Sequence, residues 1–286
     1  MEKTNNIKIV GRLASCDLKT NRRKDNGQGY ISGNVIINSV IGGETKEFEV
    51  SFYANELSQT KQPSKLYISY SKLNELVGKK VEITGSLSER RYWSTKTKQL
   101  TSLIQLTGRF VRGVSETTED MATFEVGGFV VSPLVEKKNK EGEIYRYDVQ
   151  IGQSNYNDNM INLFTFNVKP TDIEIINGLK KTYNVGDTVR LNGEIDHRVT
   201  TVTKTEDVGF GSGNTRTFTN RSRQYWVCGG SAVITDPELK YGEALIRDLI
   251  SAYKARDVEI AAKAEDKPEA ETEEKPAVTH RQASLI

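Results

Sequence analysis

The sequence predicts a mainly β protein: two small five-stranded barrels in tandem, followed by a C-terminal amphipathic helix and an acidic tail. Three observations lead there. An eleven-residue phrase occurs twice, VGKKVEITGSL at 77–87 and VGDTVRLNGEI at 185–195, and both copies fit V-G-x-x-V-x-[I/L]-x-G-x-[L/I]. The runs around each copy alternate apolar and polar residues with the period of a half-buried strand. The order of strand-like runs ahead of the first copy also restarts ahead of the second. Within the phrase the first glycine suits a tight turn. The second removes a side chain where a strand bends or bulges, as the corners of a closed barrel require.

In order along the chain, Ile7 to Leu13 reads as a first strand interrupted by Gly11, continuing into a basic segment, Lys19 to Gln28. There Asp25-Asn26-Gly27 is a hairpin turn signal. Tyr30 to Asn38 is the second strand and Gly42-Gly43 the next turn. Phe48 to Tyr53 is the third, with Phe48, Val50 and Phe52 on one face, a pattern of barrel core rather than of base platforms. Ser71 to Leu76 suits a short helix opened by its serine. The repeated phrase is the fourth strand; it runs into a polar hairpin, Ser88 to Gln99, and the chain returns through Leu100 to Val111. Five strands with a helix between the third and fourth is the order of an OB-fold, a five-stranded Greek-key barrel.

The expected boundaries are 1–112 for the first barrel, 113–120 for a linker and 121–236 for the second barrel. Phe124 to Pro133 echoes the first strand, with Gly128 standing to Gly11, and Lys137 to Gly142 echoes the first basic hairpin tip. Tyr145 to Ile151 and Ile161 to Val168 supply the next two strands, and Asp172 to Leu179 the connecting helix. The offset is 117 between Gly11 and Gly128 but 108 between Gly78 and Gly186, so loop lengths differ while strand order persists, as duplication produces. The final hairpin of the second copy, Arg198 to Arg223, is the longer one, and its GFGSGN stretch predicts mobility. GFGSGN lacks the Gly-Lys-Ser/Thr ending of a phosphate loop, which excludes that reading. Asp236-Pro237-Glu238 predicts a helix start, with Leu239, Leu245, Ile246, Leu249, Ile250 and Tyr253 on one face that packs on the second barrel. The helix is expected over 237–260 and a disordered acidic tail over 261–286.

Composition bounds the function. Hydrophobic residues make up 36% and mean hydropathy is −0.54, with no run of the roughly 18 apolar residues a membrane span needs. The polar start lacks the order of a secretory signal, so a cytoplasmic location is expected. Cys16 and Cys228 have no partner at metal-ligand spacing, which predicts buried free thiols and no metal site. With His197 and His280 alone, imidazole catalysis is poorly supplied. From Asp257 onward eight acidic and four basic residues leave a net −4, so residues 1–256 carry +6 within a whole-chain charge of +2. A basic body with an acidic tail suits a polyanion binder.

Three segments make the first copy similar to a bacterial or phage-type single-stranded DNA-binding protein: NIKIVGRL at 6–13, FEVSFYA at 48–54 and GKKVEITGSLSERRYW at 78–93. In that family the last pattern is a valine-rich strand ending in Gly-x-Leu, then basic residues and a tryptophan that stacks on DNA; Arg90, Arg91, Tyr92 and Trp93 occupy those places here. The resemblance covers about the first hundred and ten residues and, more faintly, the second copy. It implies a non-enzymatic protein without cofactor that coats single-stranded DNA in replication, recombination or repair. It also implies recruitment of replication or recombination proteins through the tail. Two departures stand out. The family's tail ends in an Ile-Pro-Phe tip, whereas this chain ends His280-Arg281-Gln282-Ala283-Ser284-Leu285-Ile286. Two barrels in one chain also replace a one-barrel subunit that forms tetramers, which points to a monomer or dimer.

The physical case is independent of the name. A sequence-tolerant binder of an unpaired strand needs cations along a groove and flat side chains facing it, and in OB-folds the groove lies over strands 2 and 3 between the first and last hairpins. The first copy offers Arg22, Arg23, Lys24, Arg90, Arg91, Lys96 and Lys98 with Tyr30, Tyr53, Tyr92 and Trp93. The second offers Lys137, Lys138, Lys140, Arg146, Arg198, Arg216, Arg221 and Arg223 with Tyr145, Tyr147, Phe210, Phe218 and Tyr225. Trp226, beside Val227, suits core and contact equally. The alternative is an OB-fold structural or protein-docking module, for example in a phage virion. A nuclease would need a carboxylate cluster for magnesium, and no motif gathers one.

Overall fold

A computed structural model describes the chain except residues 59, 96, 156–158, 206–214 and 266–286. The first half contains β1 (Asn5–Arg22), β2 (Gly29–Ile41), β3 (Glu44–Asn55), α1 (Lys65–Ser71), β4 (Lys80–Ser94) and β5 (Gln99–Gly113). The second contains β6 (Met121–Lys138), β7 (Ile144–Ser154), β8 (Ile161–Val168), α2 (Ile173–Thr182), β9 (Thr188–Thr205) and β10 (Thr215–Gly230), with α3 (Glu243–Glu265) after it. Each set of five strands closes on itself. In the first half β1 pairs with β2 and β4, β2 with β3, β4 with β5, and a short parallel contact at Val50–Leu106 joins β3 to β5. The second half repeats every one of these pairings, its parallel contact being Asn167–Trp226. Both are the closed five-stranded order of an OB-fold.

The repeated phrase explains where the barrels turn. Gly78 and Gly186 have φ of +82° and +89°, a left-handed conformation that favours glycine. A Cβ on Gly85 would run into the Thr107 carbonyl oxygen, and one on Gly193 into that of Trp226. The bulge expected at these glycines is on the partner strand: one residue, Arg109 in β5 and Cys228 in β10, is left over in the register. Core residues follow the strand alternation, with Ile9, Val35, Phe48, Val50, Ile83 and their counterparts in the second half fully buried. Phe48 and Phe52 are core, as their shared face predicts. The two barrels are also joined, because Asn5–Val10 of β1 pairs antiparallel with Met121–Val126 of β6 and the apolar interiors form one contiguous cluster.

Several elements differ from expectation. The first connecting helix starts earlier, at Lys65. Ser64 caps it by accepting from the Tyr67 N–H at 3.4 Å, and Tyr70 is buried edge-on against Phe52. Only a 3-10 turn, Leu73–Leu76, occupies the predicted stretch. Asp236 to Lys240 is a turn rather than a helix start, the buried Tyr241 follows it, and α3 begins at Glu243. The helix runs to Glu265, beyond the predicted end, and the rest of the tail lies outside the described residues. Cys16 is half-buried and Cys228 exposed; both are free, but neither is buried.

Candidate nucleic-acid interface

The last hairpin of each half leaves its own barrel and lies against the other. Past Leu87, the β4–β5 hairpin meets β8, where the Leu163 N–H donates to the Glu89 carboxylate at 2.9 Å and the Glu89 N–H to Asn162 Oδ1 at 3.4 Å. The Glu89 side chain is 1% exposed and also accepts from the hydroxyls of Ser102 at 2.6 Å and Tyr253 at 2.5 Å. Around this junction α3 packs Leu249 and Tyr253 with Phe129, Ile161 and Leu163, an apolar cluster separate from the barrel interiors. Arg91 completes it with a bidentate pair to Asp257 and its guanidinium 4.5 Å from the Tyr253 ring centre. That corrects the expectation for Arg91: its charge is committed to α3, because a helix starting at Glu243 carries Asp257 and Tyr253 up to the hairpin.

The β9–β10 hairpin lies on β3 of the first half by a different chemistry. Arg223 pairs with Glu49 at 3.0 Å, Arg221 with Glu47 and Glu49 at 3.4 Å each, and Arg198 with Glu44 at 3.2 Å. Beneath them Lys46 and Asp196, both nearly buried, pair at 2.9 Å. Burial raises the Asp196 carboxyl, but Lys46 and the Trp226 indole N–H more than offset this and hold it below the ordinary carboxylate range. His197 is enclosed beside Phe48 and Tyr225, and burial, with Arg223 nearby, pushes it down to about 3. Arg198, Arg221 and Arg223 therefore face carboxylates of the first half and not an empty cleft of their own barrel. Tyr225 is corrected outright: at 3% exposure it is core, and its hydroxyl bonds His197 and the Ile104 carbonyl.

What stays open lies toward the first hairpin of each half. In the first half Arg23 donates to the Tyr53 hydroxyl at 2.7 Å, and the Tyr53 and Tyr30 rings lie 5.6 Å apart at 32°. Tyr53 is 48% exposed, and Arg22 and Lys24 are exposed beside Arg23. Further along the face, Arg90 lies 5.5 Å over the exposed Tyr92, Trp93 is half-buried, and Lys98 is exposed at the hairpin turn. In the second half Lys137 and Lys138 end β6, Lys140 is exposed in the turn, Arg146 lies 5.5 Å from the exposed Tyr145 ring, and Tyr147 is half-buried. Lys137 and Arg146 both lean on the buried Asp148, at 3.9 and 2.9 Å. Lys96 and Phe210 lie outside the described residues, while Arg216 and Phe218 are on β10, paired with Lys204 and Val202.

Sequence reasoning missed several neighbours. Lys180 of α2 lies 5.4 Å over Tyr147, and Lys169 lies 5.7 Å over the half-buried Trp226; no local signal in the chain marks these contacts. Asn34 and Ser51 were legible, since alternation from the core residues Val35 and Val50 turns them outward. They line a polar cavity of about 120 Å3 at the seam of the halves, together with Glu49, Arg90, His197 and Arg223. A larger cavity of about 260 Å3 between α2 and the end of β10 adjoins none of these groups.

A family model described as YorF matches residues 3–267. No curated protein matches the sequence. Among solved structures, the fold is similar to that of the wild-type single-stranded DNA binding protein from Thermus aquaticus. The identity is 10% and the TM-score 0.50, over 85% of this chain and 99% of that one. A deletion mutant of the same Thermus aquaticus protein aligns at 11% identity and a TM-score of 0.50, over 83% of this chain and 98% of the other. At such identities the likeness is one of fold.

Proposed function

We propose that this chain, which belongs to the YorF family, is a non-enzymatic protein that binds single-stranded DNA without reading its sequence and coats it during replication or recombination. The observation that carries this reading is the Arg23–Tyr53–Tyr30 group. Two neighbouring rings, tilted by 32°, and a guanidinium sit on the open end of the β2–β3 face, where OB-folds take oligonucleotides. Unpaired bases stack on exposed rings and phosphates meet the hairpin cations, so recognition needs no base edge. Similarity in fold to a single-stranded DNA binding protein supports the same reading.

The work is done in the cytoplasm by a monomer or dimer, and the acidic tail recruits replication or recombination proteins. Among the described residues no helix is long and apolar enough to cross a membrane. The test is a titration against oligo(dT) and a duplex of equal length across a salt series. Preference for the single strand, quenching of intrinsic fluorescence and affinity that falls steeply with salt are expected. Equal affinity for both forms, or none, overturns the reading in favour of a docking module.

A further inference from the structure

The polar cavity at the seam has a composition that a bare nucleic-acid face would not have. Two carboxylates, Glu47 and Glu49, stand on the outer face of β3 on the same side as the open ring pair, where they would repel a polyanion. Each is instead engaged by an arginine of the β9–β10 hairpin, and the partners keep partial solvent contact: Arg223 is 24% exposed, Glu49 32% and Arg221 44%. Arg90, from the other hairpin, lines the same cavity and has no carboxylate partner among the described residues. Asn34 and Ser51 add a bonded pair of neutral polar groups, with Asn34 donating to Glu49 at 2.8 Å. Partly exposed ion pairs of this kind are weak and exchange with competing anions.

Building on the function proposed above, we propose that this cavity is a phosphate site in which the Glu49 carboxylate is a placeholder. A phosphodiester of the bound strand replaces Glu49 on Arg223, with Arg90 as the second cation, so that the second half's hairpin closes over a strand lying on the first half's β2–β3 face. The site is composite: neither half contains both arginines. Guanidinium groups pair with phosphate in the same forked geometry as with carboxylate, so the exchange needs no rebuilding of the seam.

The test is a double-mutant cycle on the full chain with oligo(dT) as probe. Glu49→Gln, which removes the competing charge and keeps the shape, is expected to bind about threefold or more tighter than wild type. Arg223→Gln is expected to bind more weakly and to lower the slope of log affinity against log salt by about one. In the Arg223→Gln background most of the gain from Glu49→Gln should vanish, because only the longer 3.4 Å contact of Glu49 with Arg221 is then left to release. A gain that persists in full would show a general surface-charge effect and overturn the exchange. Unchanged or weakened affinity in Glu49→Gln overturns it too, and does so even if Arg223→Gln fails to fold. A wild-type protein that ignores oligo(dT) would instead defeat the functional reading itself, so the two failures are distinct.

Discussion

The two crossed hairpins occupy equivalent places and are held by opposite means. On the first half, the β9–β10 hairpin rests on Glu44, Glu47 and Glu49 through arginines that water reaches. On the second, the β4–β5 hairpin is sealed by a fully buried carboxylate, Glu89, and by α3 with its apolar face. The contrast teaches that a shared strand order places both hairpins, while the residues at each seam decide how it is held. The outer arginine pairs, partly in water, exchange at little cost above the nearly buried Lys46–Asp196 pair, whereas a seam closed by Leu249, Tyr253 and Phe129 opens only by exposing core.

The largest expected effect tests the sealed side. Leu249→Ala should destabilise the protein by about 2 to 4 kcal/mol, read as a lower denaturation midpoint, and leave oligonucleotide affinity close to wild type. A large affinity loss at unchanged stability would break the comparison.

Position 197 sharpens it, since the buried His197 stands 108 residues after Glu89, whose side chain is buried, the offset of the repeated phrase. An imidazole with an unfolded value near 6.5 and a folded value of about 3 takes up its proton first in the unfolded chain. Stability is therefore fully present above about pH 6.5 and is lost as pH falls toward 3, by about 2 kcal/mol at pH 5 relative to pH 7. Chemical denaturation between pH 7 and 5 checks this, and His197→Asn should flatten that part of the profile.

Smaller again is the difference between the open clusters. Tyr53→Ala should weaken oligo(dT) binding by an amount within the roughly 1 to 3 kcal/mol of a stacked base. Tyr145→Ala should cost less, because among the described residues Tyr145 lacks the close second ring that Tyr30 gives Tyr53. Equal losses would mean that both halves bind alike. The smallest effect is salt on the free protein: at about 1 M, amides near Arg221 and Arg223 should exchange faster while those of α3 stay protected, as measured by hydrogen exchange.

Much of the fold was legible in the chain because its signals are local. Strict alternation in Phe48 to Tyr53 fixed which face is core, and the paired glycines of the repeated phrase marked both turns and both close approaches. The connecting helix lies earlier than the capping preference of Ser71 suggests, because Leu66, Tyr70 and Leu73 share the face that packs on the core. The candidate site was legible only in part. Arg23, Tyr30 and Tyr53 converge because two adjoining hairpins, β1–β2 and β2–β3, bring them together. Arg91, Arg221 and Arg223 find carboxylates more than 160 residues distant in sequence, and Tyr225 is buried against Phe124, Phe166 and His197 with its hydroxyl on the Ile104 carbonyl. No window along the chain contains such partners.

The pairing of β1 with β6 keeps the molecule from associating with its own kind. Residues 7–10 of β1 pair with β4 on one side and β6 on the other, so neither barrel leaves that stretch with an open edge. An open ladder of this length would template stray strands and invite aggregation at high concentration. Severing the chain between Gly113 and Met121 would uncover it on both fragments, so the isolated halves should clump where the intact chain stays dispersed.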